Sequence, residues 1–259
     1  MKLRIIVSFS LVLALAGLSP VHAQNISTIT VNSEEPHIAI PAGAAAKVNS
    51  DTGDGAANAL LGFQYWKEDA WLLTVLASQA AEGKTISDRS QFGSFLLDPS
   101  SNGTSFYVSG NYTWHLKSLL IGPNFRLGGS STAWEATING AKQSVGGVVL
   151  YFSPAMQISS PTFGKPDNSY QIGGEIGWGV RTIANDLGQA KTFLSAPEVL
   201  GTTSTSFHGF EGKVFFRVNE LKPYMRVSHY ASPNGQSVPG LTDWQASFGV
   251  EVLSALFKK

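Results

Sequence analysis

Between Asn168 and Leu256, long segments alternate apolar residues with polar residues or glycine, and this period of two limits what the chain can become. In Ser169 to Arg181 one series reads Tyr170, Ile172, Gly174, Ile176, Trp178 and Val180. The other reads Ser169, Gln171, Gly173, Glu175, Gly177, Gly179 and Arg181. Successive side chains of a strand point to opposite faces, so this is a strand with one apolar and one wet side. The apolar side recurs on strands that are long, glycine-rich and bordered by aromatic residues. That combination points to lipid outside and a polar lumen inside.

The first residues carry an export pattern. Met1-Lys2-Leu3-Arg4 is a basic start, Ile5 to Leu18 is apolar, and Val21-His22-Ala23 is a small-residue site before Gln24. This reads as a secretory signal peptide over 1–23, cleaved after Ala23. With no cysteine, a lipid-anchored cysteine at the cleavage site and any disulfide framework are excluded. An exported chain of this kind must be held by backbone pairing and core.

The 18 basic and 18 acidic residues become 16 and 18 when Lys2 and Arg4 are removed, a formal charge of −2. No electrostatic footprint for nucleic acid is present. Charged residues make up 14% of the chain, against roughly 25% in ordinary soluble domains. After Gln24 no stretch reaches the roughly 18 apolar residues of a membrane helix. A membrane span in this chain must therefore be a closed sheet, which satisfies the backbone without helices.

Residues 24–56 are polar and rich in small side chains, and are expected as a periplasmic lead-in with at most a short strand at His37 to Ile40. Strand candidates follow near 57–66, 70–79, 90–98, 105–116, 118–127, 132–139, 145–157, 169–183, 205–218, 223–231 and 242–256, separated by Gly, Pro, Asn and Ser clusters. These are eleven, and bacterial single-chain barrels have even strand counts, so either one candidate is not a strand or the lead-in contributes a twelfth. The expectation is an all-β fold over 57–259, a closed antiparallel up-and-down transmembrane β-barrel of about ten strands, within a range of eight to twelve. The segment 70–79, with Trp71, Leu72, Leu73, Val75 and Leu76, also fits a buried helix.

Parity divides the last strands. Outward, facing lipid, stand Trp178, then Phe210, Val214 and Phe216, then Met225 and Val227, then Trp244, Phe248 and Val250. Inward stand Glu175, Arg181, Glu211, Lys213, Arg217, Arg226 and Glu251. Opposed charges lining a lumen either pair as a filling network or set a field across a water-filled constriction. In a barrel of about ten strands the filled interior is the expectation. A soluble secreted β-barrel or sandwich binding protein is the alternative, its aromatics forming an ordinary core.

The whole pattern resembles the Gram-negative outer-membrane β-barrel class, with its porin-like and OmpA-like small barrels, over about 57–257. The resemblance implies a monomer in the cell outer membrane, in contact with its lipids and lipopolysaccharide and assembled by the barrel-assembly machinery. It also implies a structural or passive small-solute channel role without a cofactor. In that class the final strand usually ends in an aromatic residue. Here Phe257 is followed by Lys258-Lys259, and the register of Phe248, Val250 and Val252 ends on Leu256.

One stretch could carry chemistry. Arg226 to Gly235 looks like the His-x-Ser-Asn segment of outer-membrane phospholipase A and lipid A deacylases, which would make His229 and Ser232 a lipid hydrolase pair. Three residues apart, the two point to opposite faces of a regular strand, and only a bulge near Ala231 would bring them together. There is no G-x-S-x-G, H-E-x-x-H or phosphate-loop motif. His37, His115, His208 and His229 lack ligand-like spacing. No catalytic residue and no metal are expected.

Overall fold

The computed structural model describes residues 37–49, 55–67, 71–80, 89–97, 104–165, 168–184, 192–219 and 221–258. The leader over 1–23, its cleavage site and residues 24–36 lie outside the described residues. The elements are β1 (His37–Asn49), β2 (Gly55–Lys67), β3 (Trp71–Ala80), α1 (Arg89–Leu97), β4 (Thr104–Tyr112), β5 (Trp114–Leu116), β6 (Leu119–Ile138), β7 (Ala141–Ser159), β8 (Phe163–Lys165), β9 (Asn168–Ile183), β10 (Ser206–Val218), β11 (Leu221–Tyr230) and β12 (Gln245–Lys258).

The strands form one 12-stranded sheet, every pairing of which is antiparallel. The long strands pair in the order β1-β2-β3-β4-β6-β7-β9-β10-β11-β12, and β12 pairs with β1, so the ladder returns to its start. Short β5 and β8 are hairpin partners at the ends of β6 and β9. With a neighbour on both sides of each long strand, backbone donors and acceptors are satisfied without a free edge.

Among the described residues the ring contains ten long strands, but three of its parts depart from the sequence expectation. The candidate at 90–98 is the helix α1: Phe92, Phe95 and Leu96 recur at helical spacing and all three are buried. The candidates at 118–127 and 132–139 are one strand, β6. The Gly128-Gly129-Ser130-Ser131 run between them is not a turn: it stays paired to β4 and β7, and a side chain at Gly128 would meet the Phe106 carbonyl and the Tyr151 hydroxyl. The segment expected as a lead-in contributes β1, paired to β2 and β12, which is the strand parity left to it.

Strand β1 also explains the chain's last residues. Its pairing with β12 shifts register between Ile40 and Pro41, which skips Leu256 and sets Phe257 opposite Ile40. Proline suits such a site because it has no ladder donor to lose. The one-residue shift moves Phe257 onto the register position that Leu256 would hold in a regular strand.

Because the strands alternate in direction, the long connections β3–β4, β9–β10 and β11–β12 emerge at one end, together with the β6–β7 hairpin. That hairpin turns at Asn139-Gly140, both with positive φ (51° and 78°), the two-residue turn whose twist matches that of the strands. His37, Lys258 and the β10–β11 turn lie at the other end, the short-turn end.

The apolar core fills the long-loop mouth. Phe92 of α1 packs edge-on against Trp134 of β6 (5.8 Å) and Phe193 of the helical turn at 192–195 (6.0 Å), and Phe95 also meets Trp134 (6.2 Å). Val149, Ile183, Phe207 and Tyr230 from the wall, Leu194, Val199 and Leu200 from the β9–β10 connection, and Val238 and Leu241 from the β11–β12 connection complete the cluster. A side chain at Gly93 would collide with the Pro239 carbonyl, so α1 lies directly against that last connection. Helix α1 thus leaves the β3–β4 side and crosses the mouth as a stopper. Trp134 is 1% exposed, and Trp134→Ala is expected to lower unfolding free energy by about 3–5 kcal/mol in equilibrium denaturation.

Candidate functional site

The wall has two chemically distinct faces. Outward, β9 presents Tyr170, Ile172, Gly174, Ile176 and Trp178, and β10 presents His208, Phe210, Gly212, Val214 and Phe216. Trp178, Val214, Phe216, Trp244 and Phe248 are exposed, Trp244 at 65%, and Phe210 and Val250 are half-buried on the same face. Ordinary soluble monomers do not leave a contiguous apolar surface of this kind bare.

Aromatic rings border this surface at both ends. Toward the long loops, Trp178 stacks on His208 (5.6 Å), and Trp244 meets Phe210 (6.2 Å) and His229 (5.1 Å). Toward the short turns, Tyr112 lies between Trp71 (4.8 Å) and Trp114 (5.4 Å), and Tyr170 between Phe163 (5.7 Å) and Phe216 (6.3 Å). Tyr170 and Trp178 are eight residues apart, about 26 Å along the strand and about 20 Å in height once a barrel tilt near 40° is allowed. Among the described residues, no Asp, Glu, Lys or Arg stands on the outer face between the two aromatic rows.

All seven charged residues singled out from the sequence lie on the inner face, and they divide into two zones. Nearest the stopper, Glu211 Oε1 accepts from Arg181, from Arg226 (2.7 Å) and from the Tyr230 hydroxyl (2.5 Å). Arg181, 2% exposed, also donates to Ser153 Oγ (3.0 Å) and to the Leu97 carbonyl at the C-terminal end of α1 (3.3 Å). A guanidinium there supplies the donor that a helix C-terminus lacks and complements its dipole. The guanidinium also lies over the rings of Tyr151 (5.4 Å) and Tyr230 (5.6 Å). Gly179 makes room for this node, since a side chain there would strike Tyr230 and Glu211.

Farther from the stopper the contacts thin out. Lys213 crosses the Tyr224 ring (4.5 Å) to reach Glu251 at 3.1 Å, two strands away. Arg217 donates through Nε to the Asn219 carbonyl at 2.7 Å. Glu175 stands opposite Lys213 in the β9–β10 ladder. Sequence reasoning omitted Lys222 because the strand candidate began at 223, one residue too late. Arg126 lies on β6, ahead of the last strands, the ones whose two faces the sequence separates. Tyr230, which shares parity with Arg226, was within reach of the same argument.

His229 stands on the outer face with its ring on Trp244, and Ser232 is exposed beyond the strand end. The β10–β11 ladder runs without a shift from Phe210↔His229 to Gly209↔Tyr230, and Ala231 N continues it to the His208 carbonyl at 2.9 Å. The bulge that a His229–Ser232 pair requires is absent at this place.

No protein-family model and no curated protein matches the sequence. Similar solved structures include the NanC porin in a rhombohedral crystal form, at 10% identity and TM-score 0.35 over 85% of this chain and 100% of that one. Another is Pseudomonas putida OprB at high pH, at 14% identity and TM-score 0.25 over 77% of this chain and 59% of that one. Both overlaps are loose.

Two measurements test the geometry. Phe216→Arg and Phe248→Arg should each cost about 2–4 kcal/mol in a bilayer, whereas exposed positions of a water-soluble protein would tolerate them within about 0.5 kcal/mol. Glu211→Ala leaves two confined guanidiniums without their carboxylate and should cost about 3–5 kcal/mol by equilibrium unfolding. The exposed pair Lys142–Glu135, with Lys142 74% exposed, should cost below about 1 kcal/mol when Lys142 is replaced by Ala.

Proposed function

We propose that this chain is an outer-membrane β-barrel of porin-like build, exported by its leader, with a charged lumen stoppered at the long-loop mouth. The observation that carries the reading is the outer wall: an uncharged apolar band bounded above and below by aromatic rows, the form a sheet takes where its neighbour is lipid. The connections support the same orientation, long loops at the outer surface and short turns at the periplasmic side.

In this reading the resting barrel conducts little. Helix α1 and the 192–200 segment occupy the mouth with buried apolar side chains, and Arg181, Glu211, Arg226 and Tyr230 cross-link the interior beneath them. The barrel is a non-enzymatic channel-type protein held closed by its own loops. The unshifted ladder at His229 disfavours a lipid hydrolase, and the bare apolar band disfavours a soluble binding protein.

The protein should fractionate with outer membranes and run with shifted mobility on a detergent gel when unboiled. Recovery in a soluble periplasmic fraction would overturn the membrane reading. In planar bilayers the wild type should show conductance near background, and replacement of 89–97 by a Gly-Ser segment should produce discrete channel openings. A wild type that is already open, or a replacement that stays silent, would overturn the role of α1.

A further inference from the structure

Two strands run past the top of the wall. Pairing of β4 with β6 ends at Thr104↔Ser131. Pairing of β7 with β9 ends at Val149↔Ile183, with one more bond from Ala184 N to the Val148 carbonyl. Beyond that level, among the described residues, β6 and β7 pair only with each other, from Thr132↔Gly147 to Ile138↔Ala141. At strand rise this tip extends about 23 Å. A two-stranded ribbon without neighbours is marginal by itself, so its order depends on what it packs against. The inner face of the tip carries Trp134, Ala136 and Ile138, all buried in the mouth cluster, and the Glu135–Lys142 pair stands on the other face.

Two glycines stand where the support of the wall stops. At Gly147 a side chain would strike the Trp134 indole, so this glycine seats the ring. At Gly146 a side chain would meet nothing within 4 Å. Packing therefore does not account for Gly146, and what glycine adds there is backbone freedom. Among the described residues, Trp134 is the ring in contact with both Phe92 (5.8 Å) and Phe95 (6.2 Å) of α1. Its Nε1 is buried without a hydrogen-bond partner, a cost that water removes whenever the ring is uncovered.

We propose that the hairpin tip 132–147 is a hinged lid that bends at Gly146–Gly147 and carries α1 with it, so that the mouth opens by movement of one body. The inference rests on the stoppered barrel proposed above and names the part that moves. The chain has no cysteine, so Val149→Cys, on the wall beneath the hinge at a position 0% exposed, gives a single thiol. Its reaction with a water-soluble maleimide, in the full chain folded in detergent micelles, counts openings. Adding Gly146→Val, which fits the closed lid, should slow labelling about two- to fivefold, the effect of the backbone freedom that glycine gives up. Ser144→Val, on the exposed face of the lid beyond the hinge, should leave the rate unchanged. Labelling unaffected by Gly146→Val, or slowed equally by Ser144→Val, would overturn the hinge. Movement as one body is read in the wild type by hydrogen exchange: amides of 89–97 and 133–146 should open with a common free energy, well below that of β9 to β12. Separate opening free energies for α1 and the tip would overturn the shared movement. Neither readout needs conductance. A chain that stays silent in bilayers after replacement of 89–97, yet shows the common opening and the Gly146→Val effect, would keep the lid and lose the channel reading.

Discussion

The closed ladder is the constraint from which the other features follow. Once β12 pairs with β1, every long strand has two partners and no row of backbone groups is left to be capped by side chains. Parity then assigns each residue to lumen or exterior with no third option. A ring of about ten strands encloses little space, so inward positions cannot all be large. Hence the glycines: Gly128 lies beneath the hydroxyl of Tyr151 and Gly179 beneath that of Tyr230, each ring filling what its neighbour leaves empty. These two inward glycines record how tightly the interior is filled there.

A charged interior also solves a problem of register. If both faces of β9 and β10 were apolar, a slip by one residue would exchange them at little cost. With Glu175 and Arg181 on one face and Ile176 and Trp178 on the other, the same slip would place charge outward and leave Glu211 without Arg181. Buried ion pairs are seldom more stabilising than well-packed apolar side chains of the same volume. Their contribution here is to make one alignment of neighbouring strands far better than the next.

Much of this was legible in the residues themselves, and the gaps have physical causes. The two faces of β9, β10 and β12 follow from parity alone, and the structure has Trp178 and Phe216 outside and Glu175 and Arg217 inside. What parity cannot see is a segment whose burial comes from elsewhere. Phe92, Phe95 and Leu96 look like strand material until the mouth of the barrel supplies a partner for one helical face. Gly128 to Ser131 looks like a turn until the Tyr151 ring across the ladder accounts for the missing side chains. Ten long strands result all the same: of the eleven candidates one is a helix and two are one strand, and β1 adds one. Lys222 and Arg126 lie outside the segments whose faces parity separates: Lys222 one residue before the expected strand at 223, and Arg126 on β6, ahead of the last strands.

The two layers inside the barrel are joined by different forces. Beneath the stopper, Arg181 remains bound to Glu211 whether or not it reaches the Leu97 carbonyl, so lifting α1 exposes no stranded carboxylate. What seats the helix is apolar contact of Phe92, Phe95 and Leu96 with Trp134 and Phe193. Contact of that kind weakens on cooling, since its strength near room temperature is entropic, while the ionic node below follows no such rule. Cooling should therefore loosen the seat of α1 while leaving the ionic node beneath it in place.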